Sequence, residues 1–142
     1  MILPDVNLLV YAYAAQAPQH AVARTWWERT VGSREPVGLP WAVSLGFLRL
    51  MTHPAVLSTP MRPGEALAAL ESWHQRPNVY VLEPGPRHLS LLRGLLESLG
   101  LAGNLTTDAH LAALAIEHGC VLASNDADFG RFPGLRSVNP LA

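Results

Sequence analysis

The sequence predicts an α/β fold with a mostly parallel sheet. Short apolar runs alternate with longer segments of helical periodicity, and turn residues fall between them. The clearest runs are Val79–Leu82 and Val121–Ala123, and the clearest helical stripe is Leu89, Leu92, Leu95, Leu96 and Leu99. The chain has 142 residues, 49% hydrophobic and 15% charged, which suits one domain (residues 1–142) with a substantial core.

The elements follow in order. Ile2-Leu3 is a short first strand, and Asp5-Val6-Asn7 turns it into a helix from Leu8 to about Ala14. Pro18 and His20 introduce a second helix through Thr30, with Val22, Trp26 and Val31 on its apolar face. After the polar turn Gly32–Glu35, Pro36–Leu39 is a weak second strand. Trp41–Met51 is helical, and His53-Pro54 ends it. Arg62-Pro63-Gly64-Glu65 starts another helix, with proline early and an acid in the first turn; Leu67, Leu70 and Trp73-His74 continue its apolar face. Val79–Leu82 reads as a central strand, and Pro86–Leu99 as a helix of core leucines stopped by Gly100. Thr106-Thr107-Asp108 reads as an N-cap region for a helix to His118, stopped by Gly119. Val121–Ala123 is a buried strand, Asp128–Phe132 a single turn, and Leu135–Val138 a final edge strand.

Composition excludes several kinds of chemistry. All ten basic residues are arginine. Without a lysine there is no Walker-A phosphate loop, no Schiff base and no lysine-assisted phosphoaspartate site, so a receiver-type phosphoacceptor is ruled out. The net charge of -1 offers no global field for nucleic acid, so any such binding rests on local arginines. The single cysteine, Cys120, cannot form an internal disulfide and reads as a small core residue. No segment reads as a signal peptide or membrane span, which makes a cytoplasmic protein the expectation.

The acids carry the functional signal. Asp5, Asp108, Asp126 and Asp128 are the only aspartates, and each lies at a strand end, a helix start or the turn after a strand. In a right-handed parallel sheet those ends share one edge, the edge where open α/β sheets bind ligands. Carboxylates gathered there repel one another unless a cation joins them. Each has an ordinary reading too: Asp108 as a favourable charge in a helix first turn, Asp126 as a turn residue, Asp128 as a cap. Asp5, inside Ile-Leu-Pro-Asp-Val-Asn-Leu-Leu-Val, is hardest to explain that way, because a carboxylate there is at least partly buried. Together they point to Mg²⁺ or Mn²⁺ and to chemistry on phosphate.

At these residues the chain resembles PIN-domain proteins, and more narrowly the VapC ribonuclease toxins of toxin–antitoxin pairs. The matching segments, in order, are Leu3–Ala12, Leu45–Leu50, Asn104–Ala115 and Ser124–Phe129. The resemblance covers essentially the whole chain. It implies a three-layer α/β/α sandwich and an Mg²⁺- or Mn²⁺-dependent endoribonuclease leaving a 5′-phosphate and a 3′-hydroxyl. It also implies a homodimer inhibited by a VapB-type antitoxin whose tail occupies the site. By that similarity Asp5, Asp108 and Asp126 are catalytic, metal-binding acids and Asp128 a further acid of the cluster. Asn7 and Ser124 are polar supports. One departure stands out. Most such nucleases carry a glutamate in the helix after the second strand, whereas no Asp or Glu occurs from Pro36 to Gly64. Ser44 or Arg49 occupies the expected place, and Glu35 lies at the wrong end of the strand. One-metal chemistry, or a second ion recruited with substrate phosphate, both remain open.

Arg49 is the first candidate for gripping RNA phosphate, since arginine does so bidentately. His110, two residues after Asp108, reads as an exposed or packed helix histidine rather than a ligand. Trp26, Trp27, Trp41 and Trp73 have a base-stacking reading and a core or dimer-face reading, of which the second is favoured. Two further functions stay in view: a silent PIN module that binds RNA or antitoxin without turnover, and a PIN-like DNA nuclease.

Overall fold

The computed structural model describes residues 1–142. Five parallel strands form one sheet: β1 (Ile2–Pro4), β2 (Val37–Pro40), β3 (Val79–Leu82), β4 (Val121–Ala123) and β5 (Ser137–Val138). Six α-helices connect them: α1 (Val6–Tyr13), α2 (His20–Val31), α3 (Trp41–Met51), α4 (Pro63–His74), α5 (His88–Leu99) and α6 (Thr106–His118). The spatial order is β3-β2-β1-β4-β5. The chain therefore steps outward from β1 through β2 to β3, then returns to the other side of β1. Right-handed crossovers place α1–α4 on one face and α5–α6 on the other, which gives the three-layer sandwich. Contacts agree with this: α1 packs on α2 and α3, α3 on α4, and α5 on α6.

Register is tight where it positions chemistry. β1 runs beside β4 with Ile2 opposite Val121 and Pro4 opposite Ala123. The Asp5 N–H then donates to the Ala123 carbonyl at 2.8 Å, so the ladder carries one residue past the end of β1. β2 approaches its neighbours closely through Gly38, where an added Cβ would lie 2.8 Å from Leu82 Cγ. The turns after α5 and α6 use Gly100 and Gly119 in the left-handed region (φ 71° and 68°), where a side chain is strained.

Aromatic rings fill the α1–α4 layer. Trp73 packs edge-on to Trp27, Phe47 and Tyr13, with ring centroids 5.3, 4.8 and 5.6 Å away. Its indole N–H donates to the Tyr13 hydroxyl at 3.1 Å. These two tryptophans are core residues, as their amphipathic setting implies.

Several expected faces are rotated or displaced. β3 lies at the edge of the sheet, not its centre, and Tyr80 and Val81 are exposed. Its apolar run imitates a buried strand because one end, Leu82, does enter the core. On α2 the buried face is Ala23, Trp27 and Thr30, while Val22 is exposed. On α4 it is Ala66, Leu70 and Trp73, while Leu67 is exposed. The leucines of α5 are not uniformly core: Leu95 is buried, Leu91, Leu92, Leu96 and Leu99 are half-buried, and Leu89 is 77% exposed. A leucine-rich stripe is wider than the one row that α5 lays on α6. The final strand shrinks to Ser137–Val138, because Leu135 still belongs to the preceding turn through its N–H bond to the Phe132 carbonyl. A 3₁₀ turn, Gly103–Leu105, leads straight into α6, so Thr106-Thr107-Asp108 form its first turn and no side chain caps it.

These burial differences have a measurable consequence. Leu95→Ala is expected to lower unfolding free energy by about 2–5 kcal/mol, as a buried leucine truncation does. Leu89→Ala should stay within about 0.5 kcal/mol of the parent, as exposed substitutions do. Urea melts of both variants check this, and equal losses would contradict the exposure of Leu89.

Candidate active site

In this strand order the topological switch lies between β1 and β4, where successive connections leave in opposite directions. A crevice opens there at the carboxyl ends of the strands. Asp5 stands directly after β1, Ser124 and Asp126 directly after β4, and Asp108 in the first turn of α6. The topology thus brings together residues separated by up to 121 positions in sequence (5 to 126).

A single hydroxyl organises the centre. Ser124 Oγ donates to Asp5 Oδ2 at 2.8 Å and accepts from the Asp126 N–H at 2.9 Å. Asp126 Oδ1 in turn accepts the Asp128 N–H at 2.9 Å and caps a 3₁₀ turn, Ala127–Arg131. Asp126 therefore does what the sequence reading assigned to Asp128 as an alternative, the capping of this turn. The Ser124 backbone N–H bonds the Val138 carbonyl, so its position is fixed from β5 as well as β1. Ser124 is a short polar side chain at a buried point where two loops must be joined.

Asp5 is only 4% exposed. Burial pushes its carboxyl above the ordinary range, the Ser124 hydroxyl and the Val6 N–H pull it back down, and the charge of Asp126 raises it further. Asp108 is pushed up to about 6, first by burial and then by the charges of Asp5, Asp126 and Asp128. Asp108 therefore feels the charge of all three other aspartates, although Asp128 itself is exposed. No three Asp, Glu, His or Cys side chains converge on a common ion-sized point. The donors are nonetheless all carboxylate and hydroxyl oxygens, the set that suits Mg²⁺ or Mn²⁺ rather than Zn²⁺. Mg²⁺ commonly uses one or two protein carboxylates and completes its shell with water and phosphate oxygens. A cation would also relieve the repulsion that raises Asp108. On both counts the residues fit such an ion.

The remaining candidates divide. Asn7 is half-buried in the first turn of α1, next to Asp5 in sequence, and its side chain makes no hydrogen bond within the chain. Arg49 is exposed in the last turn of α3 and makes no ion pair. It lies eight residues beyond Trp41, about 12 Å along the helix at 1.5 Å per residue. Glu35 sits before β2, at the amino edge, away from the acids. Ser44, where an acid is expected by resemblance, is buried with its Oγ 3.3 Å from His74 Nε2.

Two assemblies were not read from sequence. Trp41 stacks on His74, which contacts Ser44. His88 joins α5 to α6: its Nε2 lies 2.9 Å from His110 Nδ1, and its Nδ1 lies 4.0 Å from Glu117 Oε1. His110 is a packed helix histidine whose basicity burial lowers. Spacing alone gives no signal for either assembly, since the partners are 22 to 33 residues apart. The hollow beside Ser124, Asp126, Phe129 and Asn139 is shallow, about 270 Å³. A larger apolar groove of about 490 Å³ runs along the far end of α1, past Tyr13, Met51, Leu57 and Met61, and contains no acid.

Comparison with known proteins places this arrangement. The model of the PIN domain matches residues 2–135. The chain belongs to the PIN-domain family. It is 45% identical over 141 residues to Ribonuclease VapC33 of Mycobacterium tuberculosis, covering 99% of both chains. Ribonuclease VapC25 of the same organism is 38% identical over 140 residues, again covering 99% of each. Among solved structures, VapBC2 from Rickettsia felis, bound to a promoter DNA fragment, aligns with a TM-score of 0.70 at 20% identity over 98% of each chain. VapC20 of M. tuberculosis, described as a sarcin-ricin loop cleaving toxin, aligns at 0.63 and 18% identity over 96% of this chain and 99% of that one. These structural likenesses carry the fold, and this PIN domain has the same sandwich. No helix is long and apolar enough to cross a membrane.

The raised Asp108 gives a pH dependence with a definite sign. Its folded pKa of about 6 exceeds the ordinary 3.8, so between those values the folded state binds the extra proton. Stability then falls as pH rises from about 4 to about 6 in the absence of divalent cation. Asp108→Asn should remove that loss, stabilising the chain at pH 7.5 by about 1 kcal/mol after discounting for water screening of a half-exposed group. Below pH 3.8 the difference should vanish. Thermal melts across pH in EDTA measure it, and a variant less stable than wild type at pH 7.5 would overturn the picture.

Proposed function

We propose that this chain is an endoribonuclease toxin of the VapC kind, hydrolysing RNA phosphodiester bonds with the aid of Mg²⁺ or Mn²⁺. The observation that carries the reading is the Asp5–Ser124–Asp126 linkage at the β1/β4 switch, with Asp108 facing the same charges. Full-length likeness to curated ribonucleases supports it.

Asp5, Asp108 and Asp126 are the residues that would hold the ion, with Asp128 as an outer acid. When bound, such a cation polarises a phosphoryl oxygen and lowers the pKa of a water. The chain's own residues do the rest. Ser124 anchors the Asp5 carboxylate and, through the Asp126 N–H, ties the acidic loop to it. Asp108, partly buried among the charges of Asp5, Asp126 and Asp128, is an acid whose charged form such a cation would stabilise. The open edge admits a polymer rather than a small enclosed ligand, and Arg49 offers a bidentate phosphate grip on α3. Asn7 supplies an amide beside Asp5 for orienting water.

The same reading assigns a VapB-type antitoxin as partner, a homodimer as the assembly and the cytoplasm as the site of action. Neighbouring folds come from VapBC complexes, which supports the antitoxin. A segment presenting arginine or lysine is the chemistry that would cover a cluster of four carboxylates.

Purified protein incubated with total RNA and Mn²⁺ or Mg²⁺ should yield discrete fragments, absent with EDTA and with Asp5→Asn. Ser124→Ala should retain the fold and lose about 10–100-fold in activity, as removal of a partner that orients a ligand does. RNA binding without cleavage by the wild-type chain would replace this reading with the silent module. Cleavage of single-stranded DNA in preference to RNA would replace it with the DNA nuclease.

A further inference from the structure

Trp41 is the first residue of α3, immediately after β2 reaches the carboxyl edge of the sheet. It is 53% exposed, although its neighbours Pro40 and Val43 are buried. A large aromatic ring left in water at a ligand-binding edge needs an explanation. The ring is not loose. Its indole lies nearly parallel to the His74 imidazole, with centroids 5.7 Å apart and planes 21° apart. His74 is in turn held by buried Ser44, whose Oγ is 3.3 Å from its Nε2. One face of the indole is thus backed by a braced ring, and the side chain is fixed before any ligand arrives.

The position is beside the acids. α3 packs on the residue that follows Asp5: a Cβ added at Gly46 would lie 3.2 Å from Val6 Cγ2. β2 is also the direct neighbour of β1. Along α3, Leu45 and Arg49 follow Trp41 at four-residue spacing on one exposed stripe. From Pro36 to Gly64 the only charged side chains are Arg49 and Arg62, and neither forms an ion pair. The α3 segment thus carries no negative charge of its own and only Glu83 follows β3 beside it, whereas the neighbouring end holds four aspartates. That polarity suits a strand of nucleic acid whose scissile phosphate lies at the acids and whose flanking nucleotide lies over α3. On the stripe itself only Trp41 and Leu45 are large exposed apolar side chains; a second copy covering them together with Tyr80 and Val81 of β3 is an outcome that the test separates.

We infer that Trp41, backed by His74 and Ser44, is a base-stacking platform that seats an unpaired RNA base flanking the cleaved bond. The inference rests on the ribonuclease reading above and adds the residue that grips the base. Stacking on an aromatic face tolerates any base, so Trp41 sets affinity and requires an unpaired substrate, while sequence choice comes from elsewhere.

The test uses the full-length protein with short single-stranded oligoadenylate and oligouridylate in EDTA, so that binding is read without cleavage. Wild type should show quenching of tryptophan emission on addition of either RNA. Trp41→Phe should keep binding within a few-fold but lose most of that quenching. Trp41→Leu should weaken binding by about tenfold or more, and with Mn²⁺ present should raise KM more than it lowers kcat. Thermal melts equal to wild type for both variants show that the fold is intact, and His74→Phe should preserve binding if the second ring acts as a brace. Unchanged quenching and KM in both Trp41 variants, while total RNA is still cut, would overturn the platform and leave the ribonuclease standing. A change in oligomeric state for Trp41→Leu with RNA binding intact would overturn it in favour of a protein interface. Failure of the wild-type chain either to bind or to cut RNA would overturn both readings together.

Discussion

The Ser124 hydroxyl between Asp5 and Asp126 is the interaction on which the site depends. It spans the seam where the sheet reverses its direction of growth, and it is the one direct hydrogen-bonded link between the β1 acid and the β4 loop. A buried carboxylate is costly when alone, and a hydrogen bond to a charged group recovers about 1.5–3 kcal/mol. The Val6 N–H shares that load. The same hydroxyl then accepts from the Asp126 N–H, so satisfying Asp5 also sets the course of the acidic loop.

The rest of the molecule holds that seam rigid. The β1/β4 register brings the Asp5 N–H to the Ala123 carbonyl, and β5 ties Ser124 from its other side. Core residues Leu3, Leu122 and Leu111–Ala115 surround it, so the acids at its mouth cannot relax inward without opening packed helix and strand. The mutual repulsion of four aspartates persists because the packing beneath them outweighs it. Asp108 registers its burial, and then that repulsion, in its raised pKa.

Much of this was legible in the residues, for physical reasons that can be named. Asp5 in an apolar run had to be partly buried, and Gly100 and Gly119 had to end helices, since each reflects a local cost that any fold must meet. The alternation of strands and helices was equally local. Rotational faces were not. Val22 and Trp26 share a helical period with Ala23 and Trp27, offset by one residue, and only the neighbouring Trp73 decides which row is buried. The α5 leucines offered two candidate rows for the same reason. Val79–Leu82 has the composition of a central strand, yet it lies at the edge because the chain reverses after β3 and returns to β1.

The sequence by itself determined the chemistry available: four aspartates at element boundaries, no lysine, no acid between Pro36 and Gly64, and Asn7, Ser124 and Asn125 near the acids. Those are properties of residue type and spacing, and no packing can change them. Tertiary structure alone decided which of these groups meet. Ser124 reaches Asp5 across 119 positions because β4 pairs with β1. Trp41 stands over His74, and His88 against His110, because helices that are distant in sequence share a layer. Such pairings follow from strand order and helix rotation, which are set by the lowest free energy of the whole core rather than by any local pattern.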